Sequence, residues 1–256
     1  MPEDRRVVLI TGAGSGLGRD LALAFAAEGY GVAVTGIEGT GETAAEIRRR
    51  GGVAVPAALD LREAAAVERA VEQATSELGD IDVLVNNAAV EGPTAGIADV
   101  SPADWAETLA VNLTGAFLCD RAVARRMMER RAGSIIHIAS VAGLQAYPLR
   151  SPYAVSKWGL IGLTETLAAE LGRFNVRVNA VCPGPVEGDR MRRVIAHRAG
   201  AEGRQVAEVE DEYRRRSVLG RMVAPEDVVR LVLFLASDEA RSITGQAIRV
   251  CAGYGL

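Results

Sequence analysis

Lysine is almost missing from this chain of 256 residues: of its 29 lysines and arginines, Lys157 alone is lysine. Arginine serves wherever any cation will do. A lone lysine marks a place where a planar guanidinium fork does not fit and a compact ammonium with rotatable donors does. Cysteine is scarce as well. Cys119, Cys182 and Cys251 are odd in number, far apart and follow no metal-ligand spacing. That argues against a disulfide framework and a metal site, and for reduced, buried thiols in a cytoplasmic protein. A net charge of −4, with acids and arginines interspersed, supplies no basic stripe for nucleic acid and no polybasic patch for a membrane surface. No apolar run reaches spanning length. The first residues lead straight into an apolar strand pattern, so no leader is expected. Internal repeats and low-complexity tracts are also lacking.

The chain does have an almost unbroken alternation of apolar, β-branched runs and helical segments. Val7–Ile10 reads as a strand covered on both faces. Thr11-Gly-Ala-Gly-Ser-Gly-Leu-Gly18 follows at once, and a helix is expected over Asp20–Glu28. Strand, glycine-rich turn and helix together make a phosphate cradle: glycines let the backbone approach a pyrophosphate, and the helix start favours its charge. Gly12, Ser15, Gly16, Leu17 and Gly18 are its candidate residues. Further strands are expected at Val32–Thr35, Val53–Ala57, Ile81–Val85, Gly133–Ser140, Val176–Val181 and Ala247–Val250, with helices between them. The pattern predicts one α/β domain over residues 1–256, a Rossmann-type doubly wound parallel sheet of about seven strands with helices on both faces.

The tip of the second strand, Gly36-Ile37-Glu38, should meet the adenosine ribose of a dinucleotide. Glu38 would repel a 2′-phosphate, and no arginine stands at the tip or inside the glycine turn. NAD is therefore expected, with NADP the alternative. Asp60-Leu61 sits at a strand end, where Asp60 either touches the adenine or caps the next helix. Asn86-Asn87-Ala88-Ala89 suits irregular backbone and polar capping. A helix starting after Ser101, with Pro102 at its first position, should run to about Arg130. Within it, Asn112 is a polar residue in an apolar stretch and needs a structural or catalytic partner. His137 falls mid-strand and reads as a packed core histidine, since no acid or nucleophile is placed to use it.

Tyr153-Ala-Val-Ser-Lys157 sets a phenol and the lone ammonium one helical turn apart on one face. The positive charge favours phenolate and so makes a proton donor suited to neutral pH. Cys182-Pro-Gly-Pro-Val186 turns out of a strand. The stretch 187–218, mixed in charge, helical in propensity and weakly apolar, breaks the alternation after a strand's C-terminal end. It is expected to cover the crevice as a substrate lid. Glu187, Arg190, Met191 and His197, with Gln145, Tyr147 and Arg150 from the preceding loop, are the substrate candidates.

These motifs, in this order and spacing, resemble the short-chain dehydrogenase/reductase family over essentially the whole chain. The resemblance covers the glycine turn, Asn86-Asn87-Ala88-Ala89, the quartet Asn112, Ser140, Tyr153 and Lys157, and Pro183-Gly184. It implies hydride transfer between a nicotinamide dinucleotide and a small-molecule secondary alcohol or ketone. Tyr153 is then general acid or base, and Ser140 holds the substrate oxygen. Lys157 bonds the nicotinamide ribose and lowers the Tyr153 pKa, and Asn112 anchors a water that links Lys157 to solvent. Asn87, Ala88, Ala89, Pro183, Gly184 and Val186 are implied to border the cofactor. Three positions depart from the family pattern: Ala89 stands for glycine, Gly188 for threonine, and Gly36 for the aspartate of NAD-dependent relatives. A ketoacyl-thioester reductase of fatty-acid or polyketide type using NADPH is an alternative, although no basic surface for a carrier protein is evident. A non-catalytic dinucleotide sensor would typically lose Tyr153 or Lys157, and a sugar epimerase would carry a longer C-terminal part. The resemblance also implies a homotetramer or homodimer, formed through the helices at Ser101–Arg130 and Tyr153–Gly172.

Overall fold

Seven parallel strands form one sheet in the computed structural model, which describes residues 5–256. They are β1 (Val7–Thr11), β2 (Gly31–Gly36), β3 (Val53–Ala58), β4 (Val83–Asn86), β5 (Gly133–Ile138), β6 (Val176–Pro183) and β7 (Ala247–Val250), in the spatial order β3-β2-β1-β4-β5-β6-β7. Each side of the sheet takes alternate residues, as the two-residue period of a strand requires. Leu9, Ala33, Leu84, Ile135 and Val178 face one core; Val8, Ile10, Val32, Val34, Val85, Ile136 and Val181 face the other. Because both faces are covered, the strands read as continuous apolar runs.

The first core is closed by α3 (Ala64–Leu78), α5 (Gly115–Arg130) and α6 (Ser151–Leu171). The second is closed by α1 (Gly16–Ala27), α2 (Thr40–Arg49) and α9 (Pro225–Ala236). Strand order reverses between β1 and β4, which pair with Leu9 opposite Leu84 and Ile10 opposite Val85. In an open α/β sheet, the loops leaving such a pair part to opposite faces and open a crevice.

Two expectations change. The helix anticipated from Ser101 to Arg130 is α4 (Pro102–Leu109) and α5, joined by a π turn over Ala110–Thr114 in which the Gly115 N–H reaches back to the Ala110 carbonyl. Ser101 caps α4 by accepting from the Asp104 N–H at 3.0 Å. The π turn inserts an extra residue into the helical ladder, and its Asn112 is buried. The stretch 187–218 also holds more than a weakly apolar excursion. Its helical propensity is met by α7 (Asp189–Glu202) and α8 (Val206–Arg215), but Met191, Val194, Ile195, Val209 and Tyr213 also build a third, smaller core with Val141, Met222, Cys251 and Tyr254. Strand and helix patterning in the main domain hid this core, because its apolar residues are spaced across several segments.

Candidate active site

A crevice of about 1080 Å³ opens at the C-terminal edge of the sheet, above β1 and β4. Every residue expected to touch the dinucleotide lines it, from Gly12, Ser15, Gly16, Leu17 and Gly18 through Gly36, Ile37, Glu38, Asp60 and Leu61 to Asn87, Ala88, Ala89, Pro183, Gly184 and Val186. Tyr153, Lys157 and Ser140 line the same space.

The glycine turn is shaped by two different needs. A side chain on Gly18 would come within 2.0 Å of the Gly12 carbonyl oxygen, so α1 packs on the turn only because that position is bare. Gly16 has φ of +49° with nothing within 4 Å of where a side chain would begin. Its open face fits a phosphate. Ser15, the N-cap of α1, makes no side-chain cap bond, and no acid occupies the first turn. The N–H groups at that helix start therefore have no side-chain acceptor and suit an anionic ligand.

Asn87 ties this turn to the β4 loop. Its Nδ2 donates to the Thr11 carbonyl at 2.9 Å, and the Thr11 hydroxyl accepts from the Asn87 and Ala88 N–H groups at 3.0 Å each. Asn86 works differently. It is buried, and its Nδ2 donates to Asp120 Oδ1 at 2.7 Å. Asp120 also meets His137 Nε2 at 3.0 Å, while His137 Nδ1 lies 2.8 Å from the Thr164 hydroxyl. His137 is thus a fully buried core histidine, as expected, but an acid does stand against it. Asp120 comes from α5, and no local spacing could have announced the contact.

At the adenosine end, Glu38 is exposed at the crevice. Asp60 does not cap a helix, since α3 begins after Glu63. Instead it accepts from the Arg62 N–H at 3.0 Å and from the Arg62 guanidinium at 2.6 and 2.9 Å. Bonds from Arg62 hold the Asp60 carboxyl below the usual carboxylate range. Arg62 also reaches Glu107 at 3.2 Å. Arg62 was not among the expected crevice residues, because its place there depends on the turn after β3.

At the other end the side chains of Tyr153 and Lys157 meet as their spacing requires, with Lys157 Nζ 5.7 Å from the Tyr153 ring centre. The ammonium is buried and donates to the Ile138 carbonyl at 2.7 Å. Burial pushes it down to about 7, and the charge of Arg190 acts in the same direction. Ser140 follows β5 in extended backbone and accepts from the Ala142 N–H at 3.1 Å. Asn112 is 1% exposed and fully engaged. Its Oδ1 accepts from the Val90 N–H at 2.8 Å, and its Nδ2 donates to the Val90 carbonyl at 3.1 Å and to the Ser156 hydroxyl at 3.2 Å. Ser156 in turn donates to the Tyr153 carbonyl at 2.7 Å. Lys157 is not among the partners of the Asn112 side chain. Asn112 does not line the crevice.

Tyr147, Arg150, Glu187, Arg190 and Met191 line the reacting end as expected. Gln145 does not; it packs against the C-terminal turn at Gly255, where an added side chain would meet its Oε1 at 2.3 Å. His197 is exposed on α7 and also lies outside the crevice. Both were placed by sequence proximity, and the chain turns them elsewhere.

Comparison with known proteins agrees with this geometry. A family profile described as enoyl-(acyl carrier protein) reductase matches residues 12–255. The chain is 37% identical, over 98% of its length and 97% of the relative's, to the (2S)-[(R)-hydroxy(phenyl)methyl]succinyl-CoA dehydrogenase subunit BbsD of Thauera aromatica. Among solved structures, an NAD⁺-bound xylitol dehydrogenase superposes with a TM-score of 0.94 at 30% identity, covering 98% of this chain and 99% of that one. An actinorhodin polyketide ketoreductase with NADPH gives 0.94 at 36% identity, covering 98% of both chains. The chain belongs to the short-chain dehydrogenase/reductase family, oxidoreductases that move hydride between a nicotinamide dinucleotide and a hydroxyl or carbonyl group.

Proposed function

We propose that this chain is an NAD-dependent dehydrogenase of small secondary alcohols, reversible toward the ketones. The observation that carries the reading is Tyr153, set at the crevice with the buried ammonium of Lys157 5.7 Å from its ring centre, in the same space as the glycine turn. Residues 1–256 work as one unit, and α7 with its flanks covers the substrate.

The crevice fits a dinucleotide at both ends, through the open face of Gly16 and the uncapped start of α1 at one and the Tyr153–Lys157 pair at the other. When bound there, a nicotinamide dinucleotide supplies the hydride acceptor or donor. Tyr153 accepts the hydroxyl proton in oxidation and returns it in reduction. Ser140 holds the substrate oxygen and donates a hydrogen bond to the charge that develops on it. Lys157 binds the nicotinamide ribose, and its single fixed bond to Ile138 leaves other ammonium protons for that task. Asn112 positions the site: through Ser156 it holds the first turn of α6, which carries Tyr153.

NAD is favoured over NADP by charge. Glu38 presents a carboxylate where a 2′-phosphate would lie, and the nearby Arg62 is already paired with Asp60 and Glu107. The second reading, an NADPH-dependent ketoacyl-thioester reductase, draws on the likeness to a CoA-ester dehydrogenase and to an NADPH-bound ketoreductase. Fluorescence titration of the protein with NADH and with NADPH separates the two. Tighter NADH binding is expected; tighter NADPH binding would move the assignment to the thioester reductase. Loss of turnover in Tyr153→Phe, measured on secondary alcohols and polyols, tests the chemistry.

The three free, buried cysteines suit a reducing compartment, and we place the protein in the cytoplasm. No described helix is long and apolar enough to cross a membrane. Phe117 on α5 and Val155 and Trp158 on α6 are exposed apolar side chains on the helices expected to pair between subunits. They support a homodimer or homotetramer, which sedimentation analysis would reveal.

A further inference from the structure

Five arginines line the crevice, and three of them are neutralised by carboxylates. Arg62 pairs with Asp60 and Glu107, Arg192 with Asp189, and Arg193 with Glu91 at 2.8 Å. Arg150 and Arg190 are different: among the described residues neither has a carboxylate within 4.0 Å. These same two flank the Tyr153 ring. The guanidinium of Arg150 lies 5.1 Å from the ring centre, and that of Arg190 lies 5.9 Å from it.

They reach the ring from different elements. Arg150 immediately precedes α6, while Arg190 sits in the first turn of α7. Arg150 is 5% exposed, so its charge is held away from water. One Nη donates to the Glu91 carbonyl at 2.7 Å, but the buried Nε has no partner. An unmatched donor on a buried cation is costly. Lys157, when protonated, adds a third positive centre, also without a carboxylate partner among the described residues. Three cations converge on one tyrosine in a protein whose net charge is negative. The arrangement is incomplete until an anion enters.

The dinucleotide does not supply that anion. Its pyrophosphate belongs with the glycine turn and the start of α1, and no third phosphate is expected beside Glu38. A planar guanidinium matches a carboxylate through parallel N–H bonds. Resting on the hydride-transfer reading above, we propose that Arg150 and Arg190 form a carboxylate clamp, and that the substrate is a small hydroxy acid whose carboxylate lies a few bonds from the reacting carbon. In the oxidising direction the carbinol C–H leaves as hydride to the oxidised nicotinamide. The hydroxyl proton passes to Tyr153, the C=O bond forms, and the carboxylate is unchanged and stays on the arginines. The product is the corresponding oxo acid.

The test compares 2- and 3-hydroxy acids with their methyl esters, in turnover and in calorimetric binding to the protein saturated with dinucleotide. The acids are expected to be preferred by roughly 10² in kcat/KM and in affinity, as charge-assisted bonds to two guanidiniums allow. Arg190→Met should cut that preference about tenfold or more. Arg190 is exposed, so this variant does not depend on repacking a core. Arg150→Met should act in the same direction. Arg69→Met, on the exposed face of α3 away from the crevice, should leave the preference intact. Equal handling of acid and ester, or an unchanged preference in Arg190→Met, overturns the clamp, as does failure of the acids to bind. Turnover of neutral alcohols without acid preference removes the clamp and keeps the hydride reading. Selective acid binding lost in Arg190→Met, but with no turnover by any variant, keeps the clamp and removes the hydride reading.

Discussion

The two ends of the crevice handle charge in opposite ways. At the proposed adenosine end Arg62 is matched by two acids, and Glu38 is exposed at the crevice. At the proposed reacting end Lys157, Arg150 and Arg190 stand near one tyrosine with no carboxylate within 4.0 Å of them among the described residues. Paired surface charges contribute little and are screened by solvent. The buried Arg150, without a matching acid, keeps its field for whatever enters, and the exposed Arg190 also has no carboxylate within 4.0 Å among the described residues. On the proposed readings one end repels a negative charge and the other accepts one. The same arginine-rich composition serves both purposes, and only the partners differ.

The comparison can be broken first at its catalytic end. Tyr153→Phe is expected to lower kcat by about 10³, within the range for loss of a general acid or base, while dinucleotide affinity stays within about twofold by NADH fluorescence. Undiminished turnover would remove Tyr153 from the chemistry. Lys157→Arg keeps the charge but replaces an ammonium held against the Ile138 carbonyl by a larger fork. Steady-state assays should show a loss of roughly 10², and a near-normal enzyme would mean that the lone lysine is not a constraint. The adenosine end responds less. Glu38→Gln removes the repelling charge, and the ratio of NADPH to NADH affinity should rise about tenfold in paired titrations. No change would show that Glu38 does not face the ribose.

A further effect is on stability. An unfolded lysine stays protonated up to its usual pKa of 10.5, whereas the folded Lys157 loses its proton near 7. Between those values the unfolded chain binds more protons, so this group makes stability rise with pH across that window. Below it, the full cost of burying the charged ammonium remains. Lys157→Met should therefore be more stable than the parent at pH 6 to 7 in urea melts. The difference should shrink toward pH 10. A constant difference would show that Lys157 is charged throughout.

Contacts made within a few residues were legible without the structure. The turn Thr11–Gly18 between β1 and α1, and Tyr153 with Lys157 one turn apart on α6, follow from strand and helix geometry alone. His137 was rightly placed in the core, but its partner Asp120 was not visible because it arrives on another element. Arg62 entered the crevice for the same reason. Gln145 and His197 were assigned to the substrate by nearness in sequence, and the C-terminal turn and the outer face of α7 took them instead. The π turn engages the Asn112 side-chain amide with Val90 and Ser156, contacts between elements that residue order does not announce.

By itself, the amino-acid sequence determined the alternating elements, the parallel sheet, the glycine-rich turn and the pairing of Tyr153 with Lys157. Each depends on periods of two or about four residues, which backbone sterics impose locally. Tertiary structure alone decided which arginines lost their charge to a neighbouring acid and which kept it. That choice depends on which elements the sheet order and packing bring within a few ångströms, and electrostatic energy falls too steeply with distance, and rises too strongly with burial, for residue order to reveal it.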